Sequence, residues 1–246
     1  MHAAVLSAQR HFCRLAGGAS EGAACLERDG VLAAVVPAAA ERSVVNAATY
    51  EHPDALRDAY DDLAAAYHEI GAQWAVWVHH DDAEAAALLA ERGHVLDSQP
   101  EAMARPLASP PSRPPLEGWT SAGSMEDVGT LNDVAYGYDG SLRRALGGLA
   151  GDGLHVYVCR ANDKPVGCLA TVDVGSNTDV ELVAVRPEAR GRGLSGKLLA
   201  HALADAADRG QETSTLVATT IGRPVYERLG YRGLGALQMW ERRPST

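Results

Sequence analysis

Residues 189–199 read ARGRGLSGKLL, and this stretch restricts the fold more than any other part of the chain. It follows a short apolar run rich in β-branched residues, DVELVAV (179–185). It opens a segment, SGKLLAHALADAADRG (195–210), in which Leu198, Leu199, Ala202, Leu203 and Ala206 recur on one helical face and Gly210 stands where a left-handed cap belongs. A strand, a glycine loop and a helix result. Glycines at 191, 193 and 196 let the main chain approach an anion closely. The first helical turn supplies N–H groups with no intrahelical partner, at the positive end of the helix dipole. Arg190, Arg192 and Lys197 add charge of the same sign. The physics of the unit is phosphate binding.

Three patterns fit the loop. From Gly191 it reads G-x-G-x-x-G, as in dinucleotide folds, and also G-x-x-x-x-G-K, most of a P-loop; from Arg190 it reads R-x-x-G-x-S. The P-loop fails where a magnesium-holding Ser or Thr should follow the lysine, because Leu198 stands there. The dinucleotide pattern needs a parallel βαβ unit with an acid about twenty residues on. The next strand, TSTLVATT (213–220), ends without one. Moreover, LHVYVCR (154–160) and PVGCLATVDV (165–174), divided by ANDK, predict an antiparallel hairpin and hence a mixed sheet.

A second segment, ATTIGRPVYERLGYRG (218–233), decides among the patterns. Together with VAVRPEARGRGLSGKLL (183–199) it resembles the GNAT superfamily of N-acetyltransferases, in motif order and in spacing, over about residues 120–243. The resemblance implies an α/β GNAT fold, a mixed and mostly antiparallel sheet flanked by helices, and acetyl-CoA as co-substrate with no metal. It also implies roles. The main chain of Val183 and Val185 would pair with the pantetheine arm, and the amides of Gly191, Arg192, Gly193, Leu194, Ser195 and Gly196 would receive the diphosphate, flanked by Arg190. Thr219 and Arg223 would lie on the far side of the cofactor. Ser195 and Thr219 depart from the commoner Gly or Ala and Asn. Tyr226 takes the family's tyrosine position as acid for the departing thiolate, or else closes the core.

An attacking amine must be neutral, so a base is needed as well. Asp179 and Glu181 share a strand face with Val183 if side chains alternate, and either can serve; a bulge would change which one faces the site. VAYGYDGS (134–141) falls where the family varies over its acceptor, which makes Tyr136, Tyr138 and Asp139 candidate acceptor contacts.

Composition bounds the rest. A chain of 246 residues with net charge −10 is poorly suited to gripping nucleic acid, and no apolar run is long enough to span a bilayer, so a cytoplasmic protein is expected. Cys13, Cys25, Cys159 and Cys168 lack paired-motif spacing and read as buried free thiols. Residues 1–116 carry 8 basic and 16 acidic side chains, residues 117–246 carry 14 and 16, so the acidity lies in the first half. Its field would draw in a cationic amine, with Asp61, Asp62 and Glu69 contributing.

Between the halves RPLASPPSRPPLEG (105–118), with five prolines, predicts an extended linker and a boundary near 112. Three segments are thus expected: 1–108, a linker at 109–118, and a catalytic 119–246. The first half also echoes the second. LLAERGHVLDSQPEAMARPL (88–107) parallels VYERLGYRGLGALQMWERRP (225–244), and WAVWV (74–78) parallels the strand before it. That copy is degenerate: NAATYEHPDAL (46–56) replaces the glycine loop and Leu89 replaces the tyrosine. HHDD (79–82) reads as a helix start instead of a metal site. An N-acetyltransferase acting on an amine, as a monomer or homodimer, is the expectation; a non-catalytic acyl-CoA sensor or a partner-recruiting protein remains open.

Overall fold

Local rules build most of the elements. In the computed structural model, which describes residues 2–79 and 81–243, the order is α1 (His2–Ala16), β1 (Ala24–Arg28), β2 (Val31–Val35), β3 (Ala47–Tyr50), α2 (Pro53–Glu69), β4 (Trp74–His79), α3 (Ala83–Glu91), β5 (Val95–Ser98) and β6 (Glu101–Pro106). The second half adds β7 (Trp119–Thr120), α4 (Met125–Tyr136), α5 (Ser141–Leu146), β8 (Leu154–Ala161), β9 (Lys164–Val174), β10 (Asn177–Val185), α6 (Leu194–Asp208), β11 (Thr213–Ala218), α7 (Arg223–Arg228) and β12 (Arg232–Arg242). Ser124 caps α4 by accepting from the Asp127 amide, as its spacing predicts. Asp82 caps α3 the same way and takes the Tyr50 hydroxyl at 2.7 Å, so the second acid of HHDD is a structural cap; His80 lies outside the described residues.

One mixed sheet runs through the molecule in the order β1-β2-β3-β4-β12-β6-β11-β10-β9-β8-β7, with β5 paired to β12 off this path. Each half repeats one pattern. β2 pairs antiparallel and β4 parallel with β3, just as β9 pairs antiparallel and β11 parallel with β10. The last strand of each half has crossed over. β6 sits beside β11, while β12 sits beside β4. The sequence boundary near 112 therefore divides the chain but not the sheet. Two arginines at matching positions anchor the exchange: Arg105 on β6 donates to the Leu229 carbonyl after α7, and Arg242 on β12 reaches the Tyr60 hydroxyl, itself bonded to the Arg92 carbonyl after α3.

Three apolar clusters fill the layers. One packs α2 and α3 on the first half (Leu56, Leu63, Leu89), and one packs α6 and α7 on the second (Leu198, Leu203, Tyr226). The third joins Leu32 and Ala34 of β2 to Cys168 and Ala170 of β9 through α1, α4 and α5. Since β2 and β9 are far apart in strand order, the sheet must curl until its two arms face each other across these helices. Of the proline-rich 105–118, Arg105 and Pro106 end β6 and the rest forms no strand or helix, yet it is tied down: Arg113 pairs with Asp205 at 2.7 Å, and the Pro114 carbonyl meets His201 at 2.7 Å.

One expectation needs correction. Cys25 is exposed, because β1 is an edge strand with one partner; the other three cysteines are buried. On α4, Val134 is 39% exposed, whereas Asn132 and Asp133 are buried. Asp133 turns inward because its carboxylate receives the Leu142 and Arg143 amides at 2.9 and 3.0 Å, capping α5.

Candidate functional site

β10 and β11 run parallel only from Asn177↔Thr213 to Val180↔Leu216; beyond that β10 goes on to Val185 without β11 beside it. A bulge causes the parting. The β9–β10 register shifts between Glu181 and Ala184, and Leu182 takes φ 54, a left-handed value uncommon for a branched side chain. Asn132 holds the bulge by donating from its side-chain amide to the Leu182 carbonyl at 3.0 Å and to the Val128 carbonyl at 2.9 Å. Strict alternation therefore fails. Leu182 packs with the α1–α4 cluster while Val183 packs with the α6 cluster, so Val183 does not share the face of Asp179 and Glu181.

At the mouth of the opening stands the glycine loop. Gly191 and Gly193 have φ of 76 and 70, and no atom would lie within 4 Å of a Cβ at either. α6 starts at Leu194 with no side chain capping it, so the N–H groups of Leu194, Ser195 and Gly196 face outward at its positive end. Among the described residues, none of Arg190, Arg192 and Lys197 has a carboxylate within ion-pair distance. Arg190 binds the Ala135 and Val185 carbonyls at 3.0 and 3.3 Å, stapling the loop to the end of α4, and Arg192 reaches the Glu188 carbonyl at 3.4 Å.

The candidate acid and base groups converge on the same opening. Asp179 is 2% exposed and receives the Thr215 hydroxyl at 2.5 Å. Its carboxyl is hydrogen-bonded to that of Glu181, which keeps partial access to solvent. Burial raises the pKa of Asp179, and burial together with the neighbouring carboxyl raises that of Glu181 further. Two such groups cannot both ionise cheaply, so each resists ionisation beside the other. Tyr226, 8% exposed, is kept protonated first by burial and then by the fields of Tyr136 and Glu181, which places these three groups around one space. Tyr136 is half-exposed and stacks on Tyr138 with centroids 5.8 Å apart.

Other candidates are turned elsewhere. Asp139 lies 3.7 Å from Arg42 and 3.8 Å from Arg144, and Arg42 also covers the Tyr138 ring at 3.9 Å, so Asp139 and Tyr138 belong to a contact between the halves. Arg223 pairs with Glu101 at 2.6 Å and Glu227 at 2.7 Å, which leaves its charge satisfied without a cofactor. Thr219 accepts the Gly222 amide at 3.2 Å. Burial pushes the Cys13 and Cys168 thiols up to about 12, which removes them as nucleophiles.

Asn132 and Gln9 were missed. An asparagine on the apolar face of a helix was the signal for the first. Gln9 on α1, 7% exposed, donates to a Glu181 oxygen at 3.4 Å, and no motif pointed to it. Among the described residues, the first half has no counterpart of the site. In the register that pairs Asp179 with Thr215, β3 and β4 pair Ala47 with Ala75, and the α2 start carries His52 as its cap and Pro53, which lacks an N–H.

Residues 152–233 match the family model of the GNAT acetyltransferase domain. A search of curated proteins found no match to the chain. Solved structures of similar fold include a GCN5-related N-acetyltransferase from Kribbella flavida, at 18% identity over 97% of this chain and 96% of that one, with a TM-score of 0.67. A GCN5-related N-acetyltransferase from Sphaerobacter thermophilus follows at 18% identity, 88% and 78% coverage and TM-score 0.61. A tandem GNAT protein from the clavulanic acid biosynthesis pathway is similar at 14% identity, 88% and 79% coverage and TM-score 0.54.

Proposed function

We propose, on the premise that this chain contains a GNAT acetyltransferase domain, that it transfers an acetyl group from acetyl-CoA to a primary amine by direct attack within a ternary complex. The observation that carries the reading is the parting of β10 from β11 after Val180, with the Asp179–Glu181 pair on β10 at the point of parting and an uncapped glycine loop after β10. Main-chain groups of the bulged β10 would hold the pantetheine arm as an added strand, and the amides of residues 191–196 would take the diphosphate.

Glu181, the member of the pair with access to solvent, accepts the proton of the incoming ammonium while the proton of the carboxyl–carboxyl hydrogen bond shifts onto Asp179. The neutral amine nitrogen then forms its bond to the acetyl carbon, and the carbon–sulfur bond breaks. Tyr226 gives its hydroxyl proton to the departing thiolate, and the nitrogen's surplus proton leaves to water. Half-exposed Tyr136, backed by the stacked Tyr138 ring, offers a flat apolar wall for the acceptor. Steering of a cationic amine rests less on Asp61 and Asp62 than the sequence suggested, since they pair with Arg92 at 2.6 Å and Arg28 at 2.5 Å.

Under this reading the first half is a GNAT-like lobe without a donor site. Release of free thiol from acetyl-CoA, followed across a panel of amines, tests the proposal; tight acetyl-CoA binding with no release for any amine would leave a sensor instead. Burial of Asp179 and Tyr226 is what favours that second reading.

A further inference from the structure

α1 belongs to the first half by sequence, yet it packs against β9, β10 and β11 of the second as well as β2 and β3 of the first. Its inward face carries Gln9 and, one turn later, Cys13. The Gln9 amide is nearly buried and its nitrogen lies 3.4 Å from Oε1 of Glu181, across 172 residues of sequence. From this geometry we infer that Gln9 is a positioning residue for the carboxyl pair, so that the first half completes the active site of the second. The inference rests on the acetyltransferase reading for its consequence in catalysis, but not for the contact itself.

A donor fixed on one oxygen of Glu181 does two things. It confines any proton on Glu181 to the other oxygen, and it favours the ionised form of the pair, because a carboxylate accepts a hydrogen bond more strongly than a neutral acid does. Among the described residues, no Lys or Arg forms an ion pair with Glu181. Its own strand offers Asp179, α7 offers Tyr226, β11 offers the Thr215 hydroxyl, and α1 offers the Cys13 thiol, which stays protonated. Arg10, the nearest cation on α1, is drawn 3.4 Å from Glu51. The Gln9 amide is thus the donor from the first half that opposes the rise burial and Asp179 impose on Glu181.

The experiment follows Glu181 directly. Side-chain carboxyl carbons are observed by NMR in full-length protein carrying ¹³C-labelled glutamate, with Glu181→Gln identifying the resonance, and pH is varied in wild type, Gln9→Met and Gln9→Glu. Gln9→Met keeps the volume and removes the donor; it should raise the Glu181 midpoint by about 0.4–1 unit, the equivalent of one hydrogen bond. Gln9→Glu brings a third carboxyl and should raise it more. In parallel, kcat should fall about 3–10-fold in Gln9→Met at neutral pH, with the acid limb of the kcat profile displaced upward and the Kd for acetyl-CoA unchanged. A residue that merely packs would change melting temperature without moving either titration. An unmoved Glu181 midpoint in both variants overturns the inference. A moved midpoint in a protein that acetylates no amine overturns the acetyltransferase reading alone.

Discussion

The Asn132 side-chain amide lies 3.0 Å from the carbonyl of Leu182, the residue whose left-handed backbone turns β10 away from β11. One helix residue thereby holds open the slot on which the proposed chemistry depends. Asn132→Leu would leave that carbonyl with only the weak Cys168 thiol as donor, at a cost of about 1–3 kcal/mol. We expect a lower urea midpoint together with weakened acetyl-CoA binding by calorimetry. Loss of stability with unchanged affinity would separate the bulge from the cofactor.

Gly193 caps α6 with φ 70 and open space where a side chain would stand. Gly193→Asp therefore meets no clash, and Asp tolerates the left-handed region better than most residues. It would place a negative charge where the diphosphate is expected. Acetyl-CoA binding should be abolished while the circular dichroism spectrum is retained; equal affinity of variant and wild type would remove the loop from the donor site.

Tyr226→Phe preserves the packing of the ring against Gly222 and Tyr231 and deletes the hydroxyl. Turnover should fall by about 10²–10⁴-fold, the range for a lost general acid, with little change in the Kd for acetyl-CoA. An unchanged kcat would make the residue a core tyrosine.

The Asp179–Glu181 pair also predicts the pH dependence of stability. Both folded-state pKa values are raised above those of the unfolded chain, so the native state binds more protons than the unfolded state over the interval between them. The pair's contribution is thus fully present below the usual carboxylate range and is lost as pH rises through the raised values. Glu181→Gln removes one of the two titrations. Its melting temperature should fall less than that of wild type as pH rises above the usual carboxylate range. Parallel curves for the two proteins would show that the pair does not titrate there.

Much of this site was legible before any coordinates. The strand that carries Asp179 and Glu181, the glycine loop and the helix after it form where local spacing puts them, because each depends on a short stretch of chain. What escaped depended on contacts between distant segments. Alternation assigned Val183 to the face of Glu181, and only the Asn132–Leu182 bond explains why it points the other way. Arg223 looked like a cofactor ligand until Glu101, brought in on β6 from the other half, paired with it. Asp139 looked available to an acceptor until Arg42 arrived from the first half. Gln9 carries no motif at all, and its partner is 172 positions away.

The crossing of β6 and β12 has a consequence for how the protein is made. A ribosome releases the chain from its N-terminus, and residues 1–106 leave it with β4 lacking the neighbour it will finally have, because that neighbour is residues 232–242. Until residues 232–242 have been made, the WAVWVH strand presents a bare apolar edge, the kind of surface on which nascent chains stick to one another. The first half cannot close early and wait for the second; both reach their final state in one late step that closes very long loops, which makes maturation slow and concentration-sensitive. A gene split near codon 112 would yield two fragments, each missing a strand that the other holds, and they would have to find each other to fold.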